Sequence, residues 1–149
     1  MFKFKNIHLD DKSMWPKYPR INLDEPFKDD RGSIQSLVNF PMKNLCIIFS
    51  KKGTIRSNHY HKEDWHYMYT ISGSYEYYYK PHKSKLKPKM EIFNINEMVF
   101  TPPNEDHACY FTEDTTLIVV SRMPRGNQET YEKDVRRINL LDEKGRLIN

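Results

Sequence analysis

An all-β barrel or sandwich is predicted for this chain by three observations. Nine short runs rich in aromatic and β-branched residues lie between Ser33 and Arg122. Such side chains fit a pleated, half-buried surface. Turn formers separate the runs, and almost no 3.6-residue periodicity connects them, so helix is a minor component.

The elements are taken in order. The first 25 residues, with Pro16 and Pro19, predict an extended arm, and Asp29-Asp30-Arg31-Gly32 predicts a turn before the first barrel strand. Strands are expected at Ser33–Asn39, Asn44–Ser50, Ile55–Tyr60, His66–Ser72, Ser74–Lys80, Lys89–Ile95, Glu97–Thr101, His107–Thr112 and Thr116–Arg122. Ser72-Gly73-Ser74 is read as a tight hairpin turn, glycine supplying the positive φ. Pro81–Pro88, with His82, Lys83, Lys85 and Lys87, is a polar hairpin loop whose lysines form a solvated tip or hold an anion. Tyr75, Tyr77 and Tyr79 share one strand face, as core, dimer seam or carbohydrate-stacking wall. From Gln128 onward the charged chain predicts one short helix or a docking strand.

The sequence has 149 residues with a formal net charge of +4, one domain's worth, and the barrel is expected over about 26–122. A chain of this length buries roughly 68–70% of its unfolded surface, so it needs no disulfide or metal staple. Cys46 and Cys109 cannot make a disulfide scaffold and suit small buried hydrophobes. No run approaches the ~20 apolar residues of a membrane span, and Met1–Asp10 alternates Phe with Lys instead of building a signal core. A soluble cytoplasmic protein is therefore expected. The charge excess is too small to argue for nucleic-acid binding. Serine-hydrolase, nucleoside-triphosphatase and zinc-protease motifs are absent from the sequence.

Four of the six histidines carry the chemical signal. His59 and His61 are two apart on one strand, so both imidazoles leave the same face. His66 and His107 begin other strands, and a barrel can bring all four together at its mouth. Three or four neutral imidazoles suit Fe, Mn, Ni or Zn.

The run from Gly53 through His59-Tyr60-His61 to His66 and Gly73 resembles the first motif of the cupins, with His66 where the family usually has Glu. Pro102-Pro103-Asn104-Glu105-Asp106-His107 is similar to the end of their second motif, Asn104 and Asn96 replacing glycines. The resemblance implies a double-stranded β-helix, a jelly-roll barrel, with an N-terminal arm and a short C-terminal extension. Asp30-Arg31-Gly32-Ser33 followed by Arg56-x-x-His59-x-His61 narrows the likeness to the dTDP-4-keto-6-deoxyhexose 3,4-ketoisomerases, and Arg56, His59 and Tyr60 also match the related 3,5-epimerases. That likeness implies proton transfer beside a ketone, with His59 as base, His61 assisting, and Arg31, Arg56 and Tyr60 binding an anionic or sugar substrate. Two alternatives stay open: a metal-dependent enzyme in which His59, His61, His66 and His107 hold one divalent transition metal, and a saccharide-binding module without chemistry. A homodimer is expected, with neither nucleic acid nor membrane as partner.

Overall fold

The computed structural model of the chain describes residues 11–148. Met1–Asp10, where no signal core is expected, lies outside the described residues. A hairpin of β1 (Phe27–Asp29) and β2 (Gly32–Ile34) precedes two antiparallel sheets. One has the order β3 (Asn44–Ser50), β10 (Thr115–Ser121), β5 (His66–Ser72), β8 (Met98–Thr101). The other has the order β11 (Val135–Arg137), β4 (Ile55–His61), β9 (Glu105–Phe111), β6 (Tyr75–Pro81), β7 (Lys89–Phe93). A short helix, α1 (Gln128–Asp134), leads into β11. Two facing sheets with crossed-over strand order are the jelly roll expected from the sequence.

The core fills the space between the sheets. Tyr75 and Tyr77 are fully buried there with Phe93, Val99, Phe111 and Leu117, and Tyr79 packs against them. The tyrosine face is thus a core face. Period-two alternation sends Tyr78 to the other side, against Leu140 and Leu141.

Several expectations are corrected. The strand expected over 33–39 ends at Ile34. Leu37, Val38 and Phe40 instead leave the sheet to cover Trp65, Tyr67 and Phe100 on the outside of the barrel, because those large rings need an apolar lid. Gly73 does not close a hairpin. Strands β5 and β6 belong to different sheets, so the turn is a corner, where φ is 85° and a Cβ would overlap the Asp114 carbonyl oxygen and Thr115 Oγ1. Part of the N-terminal arm docks as an extra strand segment: Ile21 N donates to Met98 O at 2.9 Å and Phe100 N to Pro19 O at 2.8 Å. Arg20 fastens this arm across the seam to β7, donating to Ile92 O at 2.6 Å, pairing with Glu97 at 2.8 Å and lying 4.4 Å over the Phe93 ring.

Both the helix and the strand foreseen after Gln128 are present. Asn127 caps α1 by accepting from Thr130 N at 2.9 Å. Asn58 secures the chain beyond the helix. It sits in a bulge of β4, where the register with β9 shifts between Ser57 and His59, and both Ser57 (φ 68°) and Asn58 (φ 54°) are left-handed. The Asn58 side chain accepts from Leu140 N and Leu141 N, each at 3.0 Å, and donates to Leu141 O at 2.9 Å. This clasp holds β11 beside β4, with Arg137 opposite His59 and Val135 opposite His61. Asn96 (φ 67°) and Asn104 (φ 56°) likewise adopt the left-handed conformation for which the cupin motif uses glycine.

Candidate active site

Four imidazoles meet inside the barrel. His59 and His61 point inward from β4, His107 lies opposite His59 on β9, and His66 opens β5. His59 has its ring centre 4.8 Å from both His61 and His107, and His66 lies 5.3 Å from His61 and 5.8 Å from His107. All four are buried. A cavity of about 350 Å³ is bordered by His59, His61 and His66 and is also lined by Arg56, Met68, Val119, Arg125, Tyr131 and Arg137.

The hydrogen bonds assign the ring nitrogens. His107 Nδ1 lies 3.0 Å from the Glu105 carbonyl oxygen, which can only accept, so Nδ1 carries the hydrogen and Nε2 keeps a bare lone pair. His61 Nδ1 lies 2.9 Å from Asp134 Oδ2. Burial works against the charge of Asp134, yet hydrogen bonds from His61 and from the Glu63 and Asp64 amides hold its carboxyl below the usual range. An ionised Asp134 accepts the His61 Nδ1 hydrogen, which turns His61 Nε2 towards the cluster. His61 Nε2, His107 Nε2 and His66 Nδ1 are all buried without a hydrogen-bond partner. At His59 the Arg137 guanidinium faces Nδ1 at 3.4 Å.

Three of the four imidazoles are held neutral by their surroundings. Burial, then the neighbouring His107 and His61 and the Arg137 and Arg125 guanidiniums, hold His59 far below the usual imidazole range. Burial lowers His66 in the same way and pushes His107 down to about 3. Burial raises the Tyr131 phenol, although Arg125 and Arg137 pull against that shift, so Tyr131 stays protonated. Its ring stands 6.3 Å from His59 and 6.0 Å from His61, with the Arg125 guanidinium 5.1 Å over it.

No protein-family model and no curated protein matches the sequence. Solved structures do. A 3,4-ketoisomerase from Helicobacter canadensis aligns over 81% of this chain and 90% of its own at 25% identity, with a TM-score of 0.66. A sugar 3,4-ketoisomerase from Thermoanaerobacterium thermosaccharolyticum in complex with TDP aligns over 78% and 85% at 18% identity and a TM-score of 0.63. A dTDP-4-dehydrorhamnose 3,5-epimerase from Sulfolobus tokodaii aligns over 81% of each chain at 18% identity and a TM-score of 0.61. The chain has the cupin fold.

Within this cupin the residues singled out from sequence divide into two groups. His59, His61, His66 and Arg56 line the cavity, and His107 packs against His59 behind them. Arg56 is oriented by Ser50 Oγ at 2.6 Å and Phe49 O at 3.0 Å. Tyr60 and Arg31 do not line the cavity. Tyr60 sits between two inward histidines on a strand, so its side chain leaves by the opposite face, where it stacks on His82 at 3.8 Å. Arg31 is in the exposed β1–β2 turn and pairs with Asp29 at 2.6 Å. Four groups at the site went unrecognised in the sequence: Arg125, Tyr131, Asp134 and Arg137. They come from the charged segment after β10. Asn127 signals its helix cap, but no local spacing ties Asp134 to His61, 73 positions away.

Proposed function

We propose that this cupin is an isomerase or epimerase of nucleotide-linked keto sugars working by histidine-mediated proton transfer. The observation that carries the reading is the His61–Asp134 pair, with its unpartnered Nε2, beside a neutral His59 and a protonated Tyr131 in an arginine-lined cavity. The solved ketoisomerases and the epimerase support the same class.

We divide the labour between the histidines differently from the family resemblance. His61, oriented by a carboxylate, is the better base, because Asp134 stabilises the imidazolium that forms when Nε2 takes a proton. His59 is buried, with other imidazoles and two guanidiniums near it, and resists protonation. It serves as a neutral hydrogen-bonding partner. In a ketone shift, His61 takes the C–H proton next to the carbonyl and the Tyr131 phenol donates to the ketone oxygen. The enediol then returns a proton to the former carbonyl carbon while the neighbouring hydroxyl loses its own, so no net oxidation occurs. Arg56, Arg125 and Arg137 hold the anionic part of the substrate, since guanidinium presents paired donors. The test is incubation with TDP-4-keto-6-deoxyglucose, following the position of the ketone by NMR. Movement of the ketone or inversion beside it supports the reading. Tight binding without any change would favour a saccharide-binding module instead.

A second reading of the same residues is favoured by one observation: His61 Nε2, His107 Nε2 and His66 Nδ1 are buried in one cluster and have no hydrogen-bond partner. Donor atoms of His59, His61 and His107 lie within 4.8 Å of one another. The outward nitrogens of His61 and His107 are fixed by Asp134 and the Glu105 carbonyl, the arrangement that orients imidazole ligands. These residues fit a divalent Fe, Mn, Ni or Zn ion, with His66 beside them. Such an ion would supply Lewis-acid polarisation of the ketone oxygen. Elemental analysis of protein purified without an affinity metal decides: about one equivalent supports this reading, and less than about a tenth, with no melting shift on adding the ions, removes it.

We further read the protein as a cytoplasmic homodimer. Both cysteines are free, as a reducing compartment requires. Strand β3, at the edge of its sheet among the described residues, exposes Leu45, Ile47 and Phe49 at 67%, 70% and 53%, an apolar stripe suited to a second copy. Light scattering of an Ile47→Lys variant, expected to be monomeric where the parent is dimeric, tests this.

A further inference from the structure

A second cavity, of about 280 Å³, lies outside the histidine site and shares no lining residue with it. Its walls are the docked arm at Pro16–Pro19, the end of β6, the loop between β6 and β7, and the corner between β8 and β9. Buried Tyr77 contacts both regions: its phenol is 2.8 Å from Thr101 Oγ1 and donates at 2.7 Å to Oε1 of Glu105, a lining residue of the second cavity, and its ring lies 6.1 Å from His107.

The lining combines two chemistries. Lys17, Lys80, Lys87 and Lys89 are four cationic residues in the lining of this one cavity. Lys80 donates to Ser84 O at 3.3 Å, and none of the four has a carboxylate within salt-bridge distance among the described residues. The one acidic group in the lining, Glu105, is already engaged by the Tyr77 phenol. Beside these cations stand flat and apolar groups. Tyr18 is 74% exposed and Leu86 73% exposed, yet both face this cavity together with Tyr79 and several prolines. Large apolar side chains left in water at the rim of a concave site are the ordinary setting for a ligand's ring. Lysines act on phosphate as point charges.

We infer that this cavity is a second ligand site, separate from the histidine chemistry, for a small ring compound bearing a phosphate group. Its floor and flanks take the ring, and the lysines of the arm and of the β6–β7 loop take the phosphate. A nucleotide and a sugar phosphate share this chemistry, and the experiment separates them.

Isothermal titration of the 149-residue chain at fixed ionic strength uses three probes: thymidine 5′-monophosphate, glucose 1-phosphate and inorganic phosphate. Binding of one of the first two is expected at least tenfold tighter than inorganic phosphate. The first identifies a nucleotide site and the second a sugar-phosphate site. A Lys87→Glu/Lys89→Glu variant is expected to weaken that binding at least tenfold while its melting temperature and keto-sugar turnover stay unchanged, since neither residue reaches the histidine cavity. Tyr18→Ala is expected to weaken the ring-bearing probe by several fold and leave inorganic phosphate unaffected. The inference is overturned if no probe binds at millimolar concentration, or if inorganic phosphate binds as tightly as the ring compounds. Binding that survives the lysine reversals and is lost in Arg125→Ala also overturns it, because the probe then occupies the histidine cavity.

Discussion

The histidine cavity has two walls built on different terms. On one side, β4, β5 and β9 set four imidazoles by sheet register, with partner strands along most of their length and burial on the core side. On the other, Arg125, Tyr131, Asp134 and Arg137 hang from a seven-residue helix, its approach and a three-residue strand that packs only at the sheet edge. The first wall fixes where the reactive nitrogens are. The second orients the His61 ring through Asp134 and sets two guanidiniums near His59, while burial and the Glu105 carbonyl act from the first. The two walls can therefore be disturbed separately. Damage to the strands should cost the fold, and damage to the C-terminal wall should alter the chemistry of a protein that still folds.

Acid is the strongest way to break the strand wall. His59, His66 and His107 are held below their ordinary range, chiefly by burial, and His107 lies at about 3. The unfolded chain takes protons on these residues near pH 6.5, and the folded chain does not. Stability present above about pH 6.5 is therefore lost as the pH falls from there towards 3. Melting curves should show a steep decline over that window, and His107→Gln should flatten it. His61→Asn comes next: it is expected to lower turnover by roughly 10²- to 10⁴-fold, the worth of a positioned general base, with far-ultraviolet circular dichroism unchanged. Asp134→Asn should be milder, roughly 10- to 100-fold, with an altered pH profile, because it disturbs orientation and not the base itself. Asn58→Ala removes three hydrogen bonds of the clasp and should reduce stability by about 2 kcal/mol. Hydrogen exchange should then quicken in residues 135–141 before it does in β4.

How far the site can be read from sequence follows the same division. His59 and His61 betray their shared face because strand side chains alternate, and the left-handed Asn96 and Asn104 stand where the cupin motif has glycine. The tyrosine stripe at 75, 77 and 79 is legible as one face for the same reason. The same alternation excludes Tyr60 from the cavity, a consequence that motif matching overlooks. The features hidden from sequence depend on long-range pairing. Gly73 announces a sharp bend, but whether β5 and β6 pair or pass to different sheets depends on Asp114 and Thr115, far along the chain. Asp134 reaches His61 through the pairing of β11 with β4 and the Lys62 and Glu63 amides, with Asn58 gripping Leu140 and Leu141 beyond. No local pattern in the charged tail encodes that meeting.

The proposed chemistry rests on His61, oriented by Asp134, moving a proton at a carbon beside a ketone. The most direct measurement is deuterium uptake from heavy water into TDP-4-keto-6-deoxyglucose, followed by NMR with the parent protein and with His61→Asn. The expected result is incorporation next to the ketone at the rate of turnover in the parent, and a loss of at least a hundredfold in the folded variant. Incorporation at the same rate in both proteins, or none in the parent, would contradict it.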